Sequence, residues 1–305
     1  MSTELSAFLQ RATAFLDRLE AVLPPAPKPI EWDSAIAFRW RKINGNAGQT
    51  GWLQPIPRTS AIRMSNLKGI EHQRKTIDAN TKQFVQGLPA NNVLLTGARG
   101  TGKSSLIKAM LNKYASQGLR LIEVDKSELV DLADITDLTA GRPEKFILFC
   151  DDLSFDEGDA SYKALKVALD GSVNASADNV LIYASSNRRH LLPEYMHENL
   201  EYKHVGEDIH PGESAEEKVS LSERFGIWLS FYPFDQDEYL SIIDHWLGEF
   251  GCTPEEAVAA HPAALTWTIE RGSRSGRVAW QFARDYAGKH VKLHAPTKGA
   301  RLQKK

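Results

Sequence analysis

Apolar residues Leu5, Phe8, Leu9, Ala12, Phe15, Leu16, Leu19, Val22 and Leu23 recur at the spacing of one helix face, and Pro24 and Pro25 end that helix. Pro27 and Pro29 stiffen the stretch that follows. Such a face has three uses: packing on the chain's own core, pairing with another subunit, or docking a partner. From Trp32 to Trp52 the chain interleaves Trp32, Phe38, Trp40 and Trp52 with Arg39, Arg41 and Lys42. That mixture reads as an irregular arm anchored by its aromatics, or as a surface that stacks bases and neutralises phosphates. An α/β rhythm then runs from Leu67 to about Phe234, with short apolar strands expected at Val93 to Thr96, Leu121 to Val124, Phe146 to Cys150, Val180 to Ser185 and Trp228 to Tyr232. Runs apolar at every position suit parallel strands covered on both faces. After Pro233 the pattern turns helical over Gln236 to Phe250, Pro254 to Ala260 and Ser275 to Tyr286.

The expected fold class is therefore α/β: a doubly wound parallel sheet of the P-loop type, with a small C-terminal helical lid and an N-terminal helical arm. The boundaries expected are 1–60 for the arm, 61–235 for the core, 236–295 for the lid and 296–305 for a basic tail expected to be disordered.

Composition adds bounds. The 305 residues are 42% hydrophobic and 25% charged, an ordinary globular balance that excludes wholesale disorder. No apolar run is long enough to span a membrane, and Glu4, Arg11, Asp17, Arg18 and Glu20 interrupt any signal-peptide core, so a cytoplasmic protein is expected. Cys150 and Cys252 are too few for a disulfide framework and read as buried thiols. The net charge of −2 hides a split: nine acidic residues face Lys203 and Lys218 from Glu194 to Glu223, whereas ten Lys or Arg face Asp285 alone from Arg271 to Lys305.

The chemistry sits where the first core strand ends. Gly97, Ala98, Arg99, Gly100, Thr101, Gly102, Lys103 and Ser104 spell a phosphate-binding loop between the strand at Val93 and a helix expected from Ser105 to Tyr114. Glycines let the backbone turn its N–H groups inward around a phosphate, and the helix N-terminus adds partial positive charge. Lys103 is expected to reach the β- and γ-phosphates and Ser104 to ligate Mg²⁺. A second carboxylate-bearing strand completes such a site, and Phe146 to Cys150 leads into Asp151 and Asp152. Asp151 is the expected metal residue and Asp152 the residue that polarises the attacking water.

With these motifs in hand, the stretch from Leu67 to Tyr286 resembles the AAA+ ATPases. The resemblance implies ATP and Mg²⁺ as ligands. It implies that Leu67, Gly69, Ile70, Glu71 and Gln73 contact the adenine, that Ser105 follows the phosphate loop into its helix, and that Asn187, after the strand at Val180, orients the lytic water. The segment Ser222 to Gly226 resembles the arginine-finger segment, which implies a homo-oligomer in which Arg224 acts on a neighbour's nucleotide. Gly276 and Arg277 resemble sensor 2, an arginine that reports the γ-phosphate to the lid. Asp152 departs from the superfamily's usual glutamate, and its shorter arm implies slow hydrolysis. The blocks Asp151 to Gly171, Ser185 to Pro193 and Leu221 to Asp235 together look like an uncharacterised bacterial family of predicted AAA+ ATPases.

Three roles follow as expectations. The first is an ATP-dependent assembly or conformational switch, with a protein partner left unspecified. The second is a DNA-associated ATPase similar to helicase loaders and initiators, using Arg271 to Lys305 and the Trp40 region. The third is a nucleotide-binding scaffold that barely turns over. Polypeptide threading is disfavoured, because Asp125 to Lys145 contains no aromatic residue.

Overall fold

The computed structural model describes residues 3–22, 30–45, 48–156, 159–170, 178–188, 191, 203–205, 208–210 and 223–290. The helices are α1 (Thr3–Val22), α2 (Glu71–Val85), α3 (Lys103–Tyr114), α4 (Leu132–Thr139), α5 (Ala160–Asp170), α6 (Gln236–Glu249), α7 (Pro254–Ala259), α8 (His261–Arg271) and α9 (Gly276–His290). The strands are β1 (Ala37–Gly45), β2 (Gly48–Pro55), β3 (Val93–Gly97), β4 (Leu119–Glu123), β5 (Lys145–Cys150), β6 (Val180–Ser186), β7 (Lys203–Val205), β8 (Asp208–His210) and β9 (Ile227–Phe231). Among the described residues, seven strands form one sheet in the order β2-β1-β4-β5-β6-β3-β9, while β7 and β8 pair separately. All neighbours in the large sheet are parallel except β1 and β2.

The apolar runs form this sheet because alternate residues feed cores on opposite faces. Val93, Leu95, Ile147 and Phe149 join α2, α3 and the lid on one side, and Leu94, Phe146, Leu148 and Cys150 join α4 and α5 on the other. A strand covered on both faces gains from being apolar throughout. The doubly wound P-loop sheet with a helical lid is the AAA+ architecture that the sequence resemblance implied. From β3 the chain crosses through α3 to β4, passing β6 and β5, so the ends of β3, β5 and β6 open on a crevice. Ligands of open α/β sheets bind at such switch points.

The segment from Trp32 to Trp52 differs from the irregular arm expected. It forms the β1–β2 hairpin, which extends the sheet by pairing β1 parallel to β4. Alternation explains it: Phe38 and Trp40 turn into the core, while Arg39 pairs with Glu123 and Arg41 lies 3.7 Å from Asp125. Trp40 Nε1 donates to Asp131 Oδ2 at 2.9 Å, and Lys42 Nζ meets the same oxygen at 2.7 Å. Trp32, Phe38 and Trp40 are thus buried in the fold, while Arg39, Arg41 and Lys42 pair with carboxylates, Arg39 and Arg41 staying partly exposed.

In α1, Leu5, Phe8, Leu9, Phe15 and Leu16 are exposed, so this helix does not bury its apolar face in the chain's own core. The lid gains one helix beyond those expected: α8, whose Pro262 occupies the first turn, where its missing N–H is harmless. Among the described residues no helix is long and apolar enough to cross a membrane. The expected basic tail from 296 to 305 lies outside the described residues, as does most of the acidic segment between 194 and 223.

Candidate functional site

The loop Gly97–Ser104 closes on itself and on its neighbours. Ala98 N–H donates to Phe231 O at 3.2 Å, an approach so close that a Cβ on Gly97, where φ is +125°, would collide with that carbonyl. Thr101, buried, ties its hydroxyl to Ala98 O at 2.8 Å. Gly100, at φ +77°, turns its carbonyl toward the lid, where Arg277 N–H donates to it at 3.3 Å. The first turn of α9 therefore rests on this glycine loop.

Lys103 points back over the loop, donating from Nζ to Gly97 O at 2.7 Å, Ala98 O at 2.8 Å and Asn187 Oδ1 at 3.0 Å. Three acceptors satisfy its three hydrogens. Burial pulls its pKa below the usual lysine value, opposed by the charges of Asp151 and Asp152 and reinforced by those of Arg277 and Arg99. Those five charges thus converge on one small volume.

At the end of β5, Asp151 Oδ1 collects three donors: Ser104 Oγ at 2.7 Å, Ser185 Oγ, and the backbone N–H of Asp152 at 3.1 Å. Octahedral Mg²⁺ at about 2.0–2.1 Å from its ligands sets neighbouring oxygens about 2.9 Å apart. The Ser104 and Asp151 oxygens already stand near that spacing. Among the described residues no group of three or more His, Cys, Asp or Glu could hold a metal ion.

Asp152 has φ +53°, the one non-glycine positive φ among the described residues. Aspartate tolerates this left-handed conformation better than most residues. Asn187 Nδ2 donates to its Oδ1, and Arg99 Nη2 lies 3.9 Å from its Oδ2. Asn187 thus bridges the loop lysine and the second aspartate.

A cavity of about 1060 Å³ spreads from this cluster to the lid. Lys103, Ser104, Asp151, Asp152 and Asn187 line it together with the apolar Leu67, Ile70, Phe234, Ile242, Trp246 and Trp280, and with Ser105 and Arg277. The expected residues Ile70, Arg99, Gly100, Thr101, Gly102, Lys103, Ser104, Ser105, Asp151, Asp152, Asn187 and Arg277 all border this one space. Arg224 stands apart: it does not border the cavity and pairs with Asp170 at the end of α5. Ser222 lies outside the described residues.

Sequence reasoning missed Ser185, Trp246, Trp280 and a polar contact across the cleft. Arg63 N–H donates to Asn66 Oδ1 at 2.8 Å, which leaves Asn66 Nδ2 to face His245 Nε2 of α6 at 3.2 Å. An amide donor requires a neutral imidazole there. Burial, then the charge of Lys68, lowers the His245 pKa, and Glu249 opposes them. Only Ser185 had a sequence signal, as the polar end of an apolar strand next to Asn187.

Residues 33–290 match the family described as "Protein of unknown function (DUF815)". The chain belongs to that family. The family match spans the hairpin, the cavity and the lid and leaves α1 outside. The sequence matches none of the curated proteins. Among solved structures, the chain is similar to the Thermotoga maritima RuvB Holliday junction branch migration motor, at 15% identity and a TM-score of 0.42, covering 75% of this chain and 72% of that one. It is similar to a chain of the E. coli MS115-1 HORMA:CdnC:Trip13 complex, at 13% identity and a TM-score of 0.48, covering 73% and 90%. A third is the Aeropyrum pernix ORC1 protein in complex with DNA, at 14% identity and 0.47, covering 74% and 61%. Membership of DUF815 names no activity, so function rests on the cavity's own chemistry.

Proposed function

We propose that this chain binds ATP with Mg²⁺ in the cavity and hydrolyses it slowly, as a nucleotide-dependent assembly or conformational switch. The observation that carries the reading is the convergence of Lys103, Ser104, Asp151, Asp152 and Asn187 at the mouth of a glycine loop whose rim touches the lid. Lys103 exchanges its loop carbonyls for β- and γ-phosphate oxygens, and the α3 N-terminus adds positive charge. Ser104 and Asp151 hold Mg²⁺, which when bound neutralises charge building on the phosphate oxygens. Asp152 accepts a proton from the attacking water, and Asn187 orients that water. Leu67, Ile70 and the lid's Trp246 enclose the base. Arg277, one residue into α9, answers the γ-phosphate and draws the lid down.

Arg224 acts in trans on a neighbouring protomer's nucleotide, which makes the active form a homo-oligomer. Its place away from the chain's own cavity supports this reading. The DNA-associated reading loses one of its two supports, since Trp40 is buried and Arg39 and Lys42 are paired.

The test is ATP turnover beside nucleotide affinity. Asp152→Asn is expected to retain ATP binding and lose hydrolysis by about 10²-fold or more, the usual size of a general-base contribution. A variant as fast as wild type would sink the role of Asp152. Binding without turnover in the wild type would leave a nucleotide-binding scaffold. Light scattering tests assembly: a monomer with ATP, with ADP and without nucleotide would refute the Arg224 reading.

A further inference from the structure

Arg99 is the one arginine carried on the phosphate loop itself, and its guanidinium meets the carboxylate expected to activate water. Asp152 Oδ1 takes the Asn187 amide, while Oδ2 faces Arg99 Nη2 at 3.9 Å, an ion-pair distance beyond hydrogen-bond reach. Asn187 is in turn held by Lys103. The Asn187 amide and the Arg99 guanidinium thus compete with water for the two carboxylate oxygens.

The restraint is easily exchanged. The Arg99 side chain is 77% exposed and that of Asp152 59%, and exposed ion pairs contribute only about 0–1 kcal/mol. A γ-phosphate offers a denser charge and bidentate geometry to the same guanidinium. The α- and β-phosphates would lie along the loop's N–H groups, with Lys103 between the β- and γ-phosphates, so that a γ-phosphate would stand nearest Asp152. Only a triphosphate therefore competes for Arg99.

Resting on the nucleotide reading above, we propose that Arg99 restrains Asp152 while the γ-phosphate position is empty and transfers to the γ-phosphate when ATP binds, releasing Asp152 toward water. Arg99 is then a residue by which the site tells ATP from ADP without a neighbouring subunit.

The experiment is calorimetric titration of the full chain, with Mg²⁺, against ADP and a non-hydrolysable ATP analogue, for wild type, Arg99→Ala, Asp152→Asn and the double variant. Arg99→Ala should weaken the triphosphate about ten-fold and ADP less than about two-fold, the size of one charge-assisted contact at a partly exposed site. Asp152→Asn should tighten triphosphate binding several-fold more when Arg99 is present than when it is alanine, because the cycle isolates their coupling from simple repulsion of phosphate. Equal weakening of both nucleotides by Arg99→Ala, or no effect on either, overturns the proposal. So does an Asp152→Asn effect unchanged in the Arg99→Ala background. A wild-type chain that binds neither nucleotide overturns the nucleotide reading itself, and this inference with it.

Discussion

Gly100→Ala tests whether the lid rests on the phosphate loop. A Cβ at Gly100 would stand 2.9 Å from Ser275 Oγ, 3.1 Å from Ser275 Cβ and 3.2 Å from Arg277 Cβ. Two costs are expected there. The backbone, at φ +77°, costs an alanine about 1–2 kcal/mol, offset by about 0.4–1 kcal/mol of lost freedom in the unfolded chain. Crowding against the lid adds about 1–3 kcal/mol. Gly141 supplies the control, since its φ is +70° and a Cβ there meets nothing within 4 Å. Gly141→Ala carries the backbone cost alone. Gly100→Ala should thus be less stable than Gly141→Ala by about 2 kcal/mol, or about 4–8 °C in Tm at about 2–4 °C per kcal/mol. Thermal and denaturant unfolding of the two variants measure the difference. Equal losses would refute the argument that the start of α9 is seated on the loop.

Asp131→Ala should cost about 2 kcal/mol in denaturant unfolding, because it strips the partner from the buried Trp40 indole and from Lys42; Asp131→Asn should recover part of it, and a neutral Asp131→Ala would show the hairpin is held by apolar contacts alone. The lowered pKa of His245 predicts a stability that rises with pH. The folded imidazole binds fewer protons than the unfolded one, so its contribution is present above the usual histidine value of about 6.5 and is lost as pH falls through the lower folded value. Tm measured against pH should show that acid loss in wild type and not in His245→Gln, whose amide oxygen accepts from Asn66 at any pH; identical profiles would remove His245 as the cause.

The core sheet was readable because a strand covered on both faces is apolar at every position, and these runs are too short for buried helices. The β1–β2 hairpin was misread although Phe38 to Arg41 alternate in the strand period. Its mixture of aromatic and cationic residues suggested an irregular arm or a nucleic-acid surface, and the true partners of the cations, Glu123, Asp125 and Asp131, lie far along the chain. The helix α8 was missed because Pro262 reads as a break unless the chain before it is known to supply the first turn.

What the sequence alone determined is the glycine loop between a strand and a helix, the carboxylates after β5 and the parallel sheet that carries them, since each is written in adjacent residues whose backbone needs are local. What only the tertiary structure decided is which groups meet. Ser185 reaches Asp151 across 34 positions and Asn66 reaches His245 across 179. Arg99 finds Asp152 because β3 and β5 flank β6 and end in the same crevice. Such contacts depend on strand order and on where the lid closes, and no local spacing encodes either.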